Sequence, residues 1–157
     1  MKKAFLYIAL LLLSLLCGCN RSHTAMLNRA ETLISSAPDS AVSVLDSLKG
    51  ELTDMRHSQQ MRYWLLRNSA DNQLDSTLHR DSIMRLVANY YGHHGTPNES
   101  MLAYYLLGRT YNDMGEAPQA LEAFHNAIDT ADTTATDCDY WLLSRVHGQM
   151  ADLFYWQ

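Results

Sequence analysis

Residues 104–127 read YYLLGRTYNDMGEAPQALEAFHNA, and their spacing decides the fold. Tyr104, Leu107, Gly108 and Tyr111 recur at steps of three and four, which places them on one face of a helix. Ala120, Phe124 and Ala127 repeat that spacing in a second helix. Between them Met114-Gly115-Glu116 forms a turn, and Pro118 suits the first turn of the second helix. Each residue has a steric task. Gly108 and Ala120 are small where the two helices cross closely. Leu107, Tyr111 and Phe124 fill the space around the crossing, and Ala127 lets a further hairpin approach. Upstream, Thr96-Pro97-Asn98-Glu99 is a capping box with Pro at the first helical position. The first helix therefore runs to about Asp113, and its partner from Ala117 to Ala131.

Working outward, apolar residues keep recurring at three and four, and no period-two strand pattern is present from residue 25 onward. Met26, Leu27, Ala30, Leu33 and Ile34 make one stripe, which Pro38 breaks. Asp39 or Ser40 caps a second helix carrying Val42, Val44, Leu45 and Leu48 and ending near Gly50. Thr53 or Asp54 opens a third, through Met61, Tyr63, Trp64, Leu65 and Leu66. The polar stretch from Asn68 to Arg80 has no assigned element. Asp81 or Ser82 caps a fourth helix with Ile83, Leu86, Val87, Tyr90 and Tyr91, and Gly92-His93-His94-Gly95 is a turn. After a polar loop, Asp132 to Asp137, a last helix runs from about Asp137 to the end. The expected fold is all-α, about seven helices joined by short turns.

The motif in 104–127 resembles the tetratricopeptide repeat. Gly115 also sits where that family turns between its two helices. Departures are Tyr104 for the usual Trp, and Asp132 where a Pro commonly opens the next repeat. The resemblance implies an α-α superhelix, with residues 96–132 as the repeat and 25–95 as degenerate helical hairpins. Residues 133–157 then form the first helix of a following, truncated repeat, as though the chain were the N-terminal part of a longer protein. His147-x2-Met150-Ala151-x2-Phe154 keeps the first-helix pattern forty-three residues after Gly108; a register of thirty-six, from Tyr140-Trp141-Leu142-Leu143, competes with it. The longer spacing is preferred, because it keeps small and aromatic residues in corresponding places.

The start of the chain is an address. Met1-Lys2-Lys3 is basic, and Ala4 to Leu16 is thirteen residues broken only by Ser14. A helix of that length spans about 20 Å, short of the ~30 Å hydrocarbon layer, so it reads as the apolar region of a signal peptide. Leu16-Cys17-Gly18-Cys19 resembles the lipobox of bacterial lipoproteins, with Cys17 at its tolerant position. That implies removal of residues 1–18, a lipid such as palmitate on Cys19, and a polar tether over residues 19–24. It places the protein as a membrane-anchored lipoprotein of a Gram-negative cell, on the outer or inner membrane. No acidic run follows Cys19, which favours a periplasm-facing anchor. Cleavage removes Cys17 and lipidation consumes Cys19, so Cys138 stays alone and no internal disulfide remains.

Composition limits the chemistry. The chain has 157 residues, 47% hydrophobic and 18% charged, as expected for one globular domain. Lys and Arg number 12 against 17 Asp and Glu, a net charge of −5, which argues against a nucleic-acid partner. His79, His93-His94 and His125 show no paired metal-ligand spacing, so no metal is expected. Cys138 and His147 lie nine residues apart, about 13 Å of helical rise, too far to act as a nucleophile and base. The Asp-Ser pairs at 39–40, 46–47, 75–76 and 81–82 belong to helix boundaries, and no phosphate loop, dinucleotide fingerprint or nucleophile elbow occurs. No enzyme and no cofactor are expected.

What remains is a surface. In the tetratricopeptide family the first helix of each repeat lines a concave groove that binds extended peptides. On the matching helix here Leu102, Tyr105, Arg109 and Asn112 share a face. Arg109 can pair a carboxylate, Asn112 can bond a peptide backbone and Tyr105 can pack on a side chain. The corresponding positions in the last helix are Arg145, Gly148, Asp152 and Tyr155. The resemblance thus implies an interaction scaffold, docking or sensor domain for a protein or peptide. The alternative is a glycan- or nutrient-binding lipoprotein of an outer-membrane uptake system.

Overall fold

The computed structural model describes residues 22–76 and 81–155. Residues 1–18, Cys19, His79 and Trp156 lie outside that range, and with them the signal peptide and lipidation site expected above. The described residues are all-helical. Residues 22–33 form α1, followed by α2 (Pro38–Leu48), a 3-10 turn (Lys49–Asp54), α3 (His57–Gln73), α4 (Asp81–His94), α5 (Pro97–Asp113), α6 (Ala117–Asp129) and α7 (Tyr140–Tyr155). Successive helices pack side by side from α2 to α7. Contacts also join α3 to α5 and α5 to α7, as in an α-α superhelix.

The crossing of α5 and α6 is built as the sequence requires. Gly108, Ala120, Phe124 and Ala127 are all buried. A methyl group added at Gly108 would overlap the Phe124 ring, so the two helices can approach this closely only with glycine there. Gly115 closes the turn with φ +78°, a conformation that side chains with a Cβ rarely adopt. The start of α5 is the expected capping box: Glu99 N–H donates to Thr96 Oγ1 (3.3 Å) and Thr96 N–H donates to Glu99 Oε2 (2.8 Å). By contrast Ala151 and Phe154, the counterparts of Gly108 and Tyr111 in α7, are exposed.

Other boundaries differ from the sequence reading, each for a local reason. Ser22 to Thr24, expected in the tether, belong to α1, and His23 is 4% exposed with Nε2 2.6 Å from Glu51 Oε2. Pro38 opens α2 rather than merely ending α1, since its missing N–H is harmless at a first helical position. Neither Asp39 nor Ser40 is therefore the cap; Asp39 lies in the first turn. The third helix starts at His57, not at Thr53 or Asp54. Gln60 Nε2 donates to Leu52 O (3.0 Å) and Met55 O (3.0 Å), which holds the 3-10 turn and lets Met55 enter the core. Gln59 Oε1 then accepts the Arg56 N–H (3.2 Å) to begin α3. At the other end α3 continues through residues 68–73 of the polar stretch left unassigned. Gly92, His93 and His94 are helical, not a turn. Gly92 provides space for Tyr104, whose hydroxyl would stand 2.8 Å from an added Cβ. Asp139 sets the start of α7 by accepting the Leu142 N–H (2.9 Å).

Two apolar clusters fill the array. The smaller gathers Leu27, Ala30, Leu45, Leu48, Tyr63 and Leu66 from α1, α2 and α3. The larger runs from Met61 and Leu65 through α4, α5 and α6 to Val146 and Leu153. Trp64 packs against both. Arg67 adds a polar clamp, paired with Asp46 of α2 and with Asp71 one turn on (3.1 Å). Burial works against its charge, but the bonds to Asp46 and Asp71 outweigh that and hold the guanidinium pKa above its ordinary value.

Gly108→Ala is expected to cost about 2 kcal/mol through overpacking. Gly148→Ala, at an exposed helix position with nothing near an added Cβ, should instead add about 0.5–1 kcal/mol. Urea unfolding of the two variants measures both; equal stabilities would contradict the close crossing.

Candidate functional site

Three helices, α3, α5 and α7, converge on a cleft of about 270 Å³. Each was placed by a local feature: α3 by Gln59 and Gln60, α5 by its capping box, α7 by Asp139. The α3 wall carries Ser69, Asn72 and Gln73, and the α5 wall Asn98, Glu99, Leu102 and Tyr105. From the α7 side come Asp139, Trp141, Leu142 and Arg145.

Several of these groups already have structural work. Asn98 joins α5 to the segment before α7, donating to Asp137 O (2.7 Å) and accepting the Asp139 N–H (3.0 Å). Glu99 accepts from Thr96, and Asp139 from Leu142. Others have no such partner. Asn72 is 5% exposed and its Oδ1 is buried without a hydrogen bond among the described residues. Tyr105 is 1% exposed and its Oη is in the same condition. Asn68 Oδ1 and Arg109 Nε complete the set of buried, unpartnered side-chain atoms among the described residues, and all four stand on α3 or α5. Buried polar groups are paired almost everywhere in proteins, so a cluster of unpaired ones marks a face under some other demand.

Arg145 is held by aromatic rings. Its guanidinium lies 5.0 Å from the Tyr105 ring centre and 4.7 Å from that of Trp141, which is 64% exposed. No carboxylate pairs with it among the described residues. The Tyr105 ring is buried against Phe124 (6.1 Å between ring centres) with the Arg145 guanidinium over it, so it is not open to pack on a ligand side chain as expected.

Of the groove residues expected from sequence, Leu102, Tyr105 and Arg145 meet in this cleft. Asn112 and Asp152 meet in a second one, of about 410 Å³, with Gln149 and Leu153. Arg109 lies between them on α5, partly buried. Tyr155 is 81% exposed and lines neither cleft. Asn72, Trp141 and Asn98 were missed. Asn68 and Asn72 continue the four-residue step of α3, and no Gly or Pro interrupts residues 51–91; that signal was available.

His23, His57, His93 and His94 have partners among the described residues. His57 meets the Tyr90 ring edge-on and His94 lies tilted against it, with ring centres 5.4 and 4.9 Å apart, and His93 Nδ1 donates to Asn89 O (2.8 Å). Among the described residues no group of three or more His, Cys, Asp or Glu could hold a metal ion. Cys138 is free and precedes α7, whereas His147 is exposed within it. Among the described residues no helix is long and apolar enough to cross a membrane.

No family model, no curated protein and no solved structure matches the chain. Tyr105→Phe removes a buried hydroxyl that has no partner, so thermal unfolding should show stability unchanged or raised by about 1 kcal/mol. A fall of that size would mean that the hydroxyl is paired.

Proposed function

We propose that this chain is a membrane-anchored lipoprotein of the tetratricopeptide type, acting as an interaction scaffold or docking domain. Its working surface is the face shared by α3, α5 and α7. The observation that carries this reading is the collection of buried polar atoms on α3 and α5 that lack partners among the described residues, beside an Arg145 that pairs with no carboxylate among them. An unsatisfied buried polar atom costs about 1–3 kcal/mol, and a partner that supplies the missing bond recovers it. Leucine, tryptophan and tyrosine around those groups provide apolar area for the same contact.

The two clefts lie along one helical face, the first at Leu102 and Tyr105 and the second at Asn112. From residue 102 to residue 112 the helical rise is about 15 Å, the length of four or five extended residues. A small metabolite does not need such a length; an extended peptide does. The anchoring half of the proposal rests on the lipobox-like Leu16 to Cys19 and the apolar run before it. At about 0.8 kcal/mol per buried CH₂, two or more acyl chains on Cys19 hold such a domain stably at a bilayer.

Two measurements test these halves separately. Metabolic labelling with palmitate should mark the wild-type chain, and Cys19→Ser should lose the label and leave the membrane fraction. Crosslinking and pull-down from membranes should recover a protein partner that Arg109→Ala with Asn112→Ala reduces several-fold. An unchanged partner list with that double variant removes the groove from the proposal, and recovery of saccharide instead of protein favours nutrient capture.

A further inference from the structure

The groups facing the first cleft differ in what they demand. Asn72 Oδ1 only accepts, and its missing partner is an N–H or O–H. Tyr105 Oη can donate to a carbonyl. Arg145 lies against two aromatic rings and pairs with no carboxylate among the described residues, which leaves its N–H donors available; that planar fork matches a carboxylate. The cleft's own carboxylates are otherwise engaged. Glu99 and Asp139 each cap a helix start, where the positive end of the helix dipole offsets part of their charge. The site is close to neutral as a whole, so recognition of an acid here depends on contact with Arg145 rather than on a long-range field.

Size and shape narrow the occupant further. A volume of about 270 Å³ holds one large side chain but falls below the range of ~300–1,000 Å³ usual for drug-sized ligands. Leu102, Leu142 and the exposed indole of Trp141 give that side chain an apolar seat. In an extended chain neighbouring side chains point to opposite sides. One residue can therefore enter the seat while the next turns toward the α7 wall and Arg145.

We propose that the cleft binds an internal, extended peptide segment in which Asp or Glu adjoins a large apolar residue. Asn72 Oδ1 accepts a backbone N–H of that segment and Tyr105 Oη donates to a backbone carbonyl. Arg145, held against rings and by no carboxylate among the described residues, turns toward the acidic side chain, and that movement opens the way to the buried tyrosine hydroxyl. The apolar neighbour packs on Leu102 and Trp141. No free chain terminus is needed. The inference rests on the docking reading of this face and adds the chemistry of the partner.

The test is an array of random twelve-residue peptides, acetylated and amidated at their ends, probed with the full chain in detergent. Retained peptides should be enriched in Asp or Glu beside Leu, Ile, Phe, Tyr or Trp. Arg145→Gln should abolish the acidic preference and keep the apolar one. Tyr105→Phe and Asn72→Ala should each weaken the retained peptides roughly three- to tenfold, with the thermal midpoint not lowered for the phenylalanine variant. Retention without acidic enrichment, or an acidic enrichment that survives Arg145→Gln, overturns this inference and leaves the docking groove standing. Retention of no peptide overturns both.

Discussion

The contact between Gly108 and the Phe124 ring sets the distance between α5 and α6, and the rest of the array is arranged around that distance. Interiors of proteins pack near crystalline density, so one added methyl at Gly108 cannot be absorbed without displacing the buried Phe124 ring or the helix that carries it. Besides α6, α5 packs on α4 and makes the skip contacts to α3 and α7. Those skip contacts bring three helices around one cleft. Tyr105 ties crossing and cleft together, since its ring packs on Phe124 while the residue lines the cleft.

The same helix shows how stability and function divide a single element. Its buried face includes Met101, Leu106 and Gly108, which serve packing alone. Thr110, also buried, satisfies itself on Leu106 O (2.8 Å), and Ser100 bonds Tyr91 O (2.8 Å) to fix the entry from α4. Only Tyr105 and Arg109 leave polar atoms buried without partners. A helix that pairs its other buried hydroxyls so completely does not lack the means to pair these. Their condition is a property of the face they occupy.

Much of the fold was legible because the decisive residues carry local physics. The capping box at Thr96, Gly115 in its left-handed turn and the small residues of the crossing each act within a few positions, and each is visible in one sequence. The misplaced boundaries depend on partners far along the chain. Gly92 reads as a turn until Tyr104 lies across it, and Met55 reads as helix until Gln60 secures the carbonyls of the preceding turn. The cleft was half legible. Leu102, Tyr105 and Arg145 follow from the repeat-like pattern read together with helical spacing, whereas Asn72 belongs to a stretch whose polarity disguised a buried helix. Periodicity searches look for apolar stripes, and a stripe that contains Asn68, Asp71 and Asn72 gives them little to find.

Trp64 touches both apolar clusters, and this joins the ends of the molecule mechanically. An array of hairpins with separate cores can lose its first hairpin and keep the others, in the manner of a one-dimensional chain. Here detaching α1 and α2 would strip one side of α3, loosen Arg67 from Asp46 and disturb the helix that carries Asn72. The first hairpin and the helix that lines the cleft are thereby coupled, and loosening α1 and α2 would be felt at Asn72 through α3.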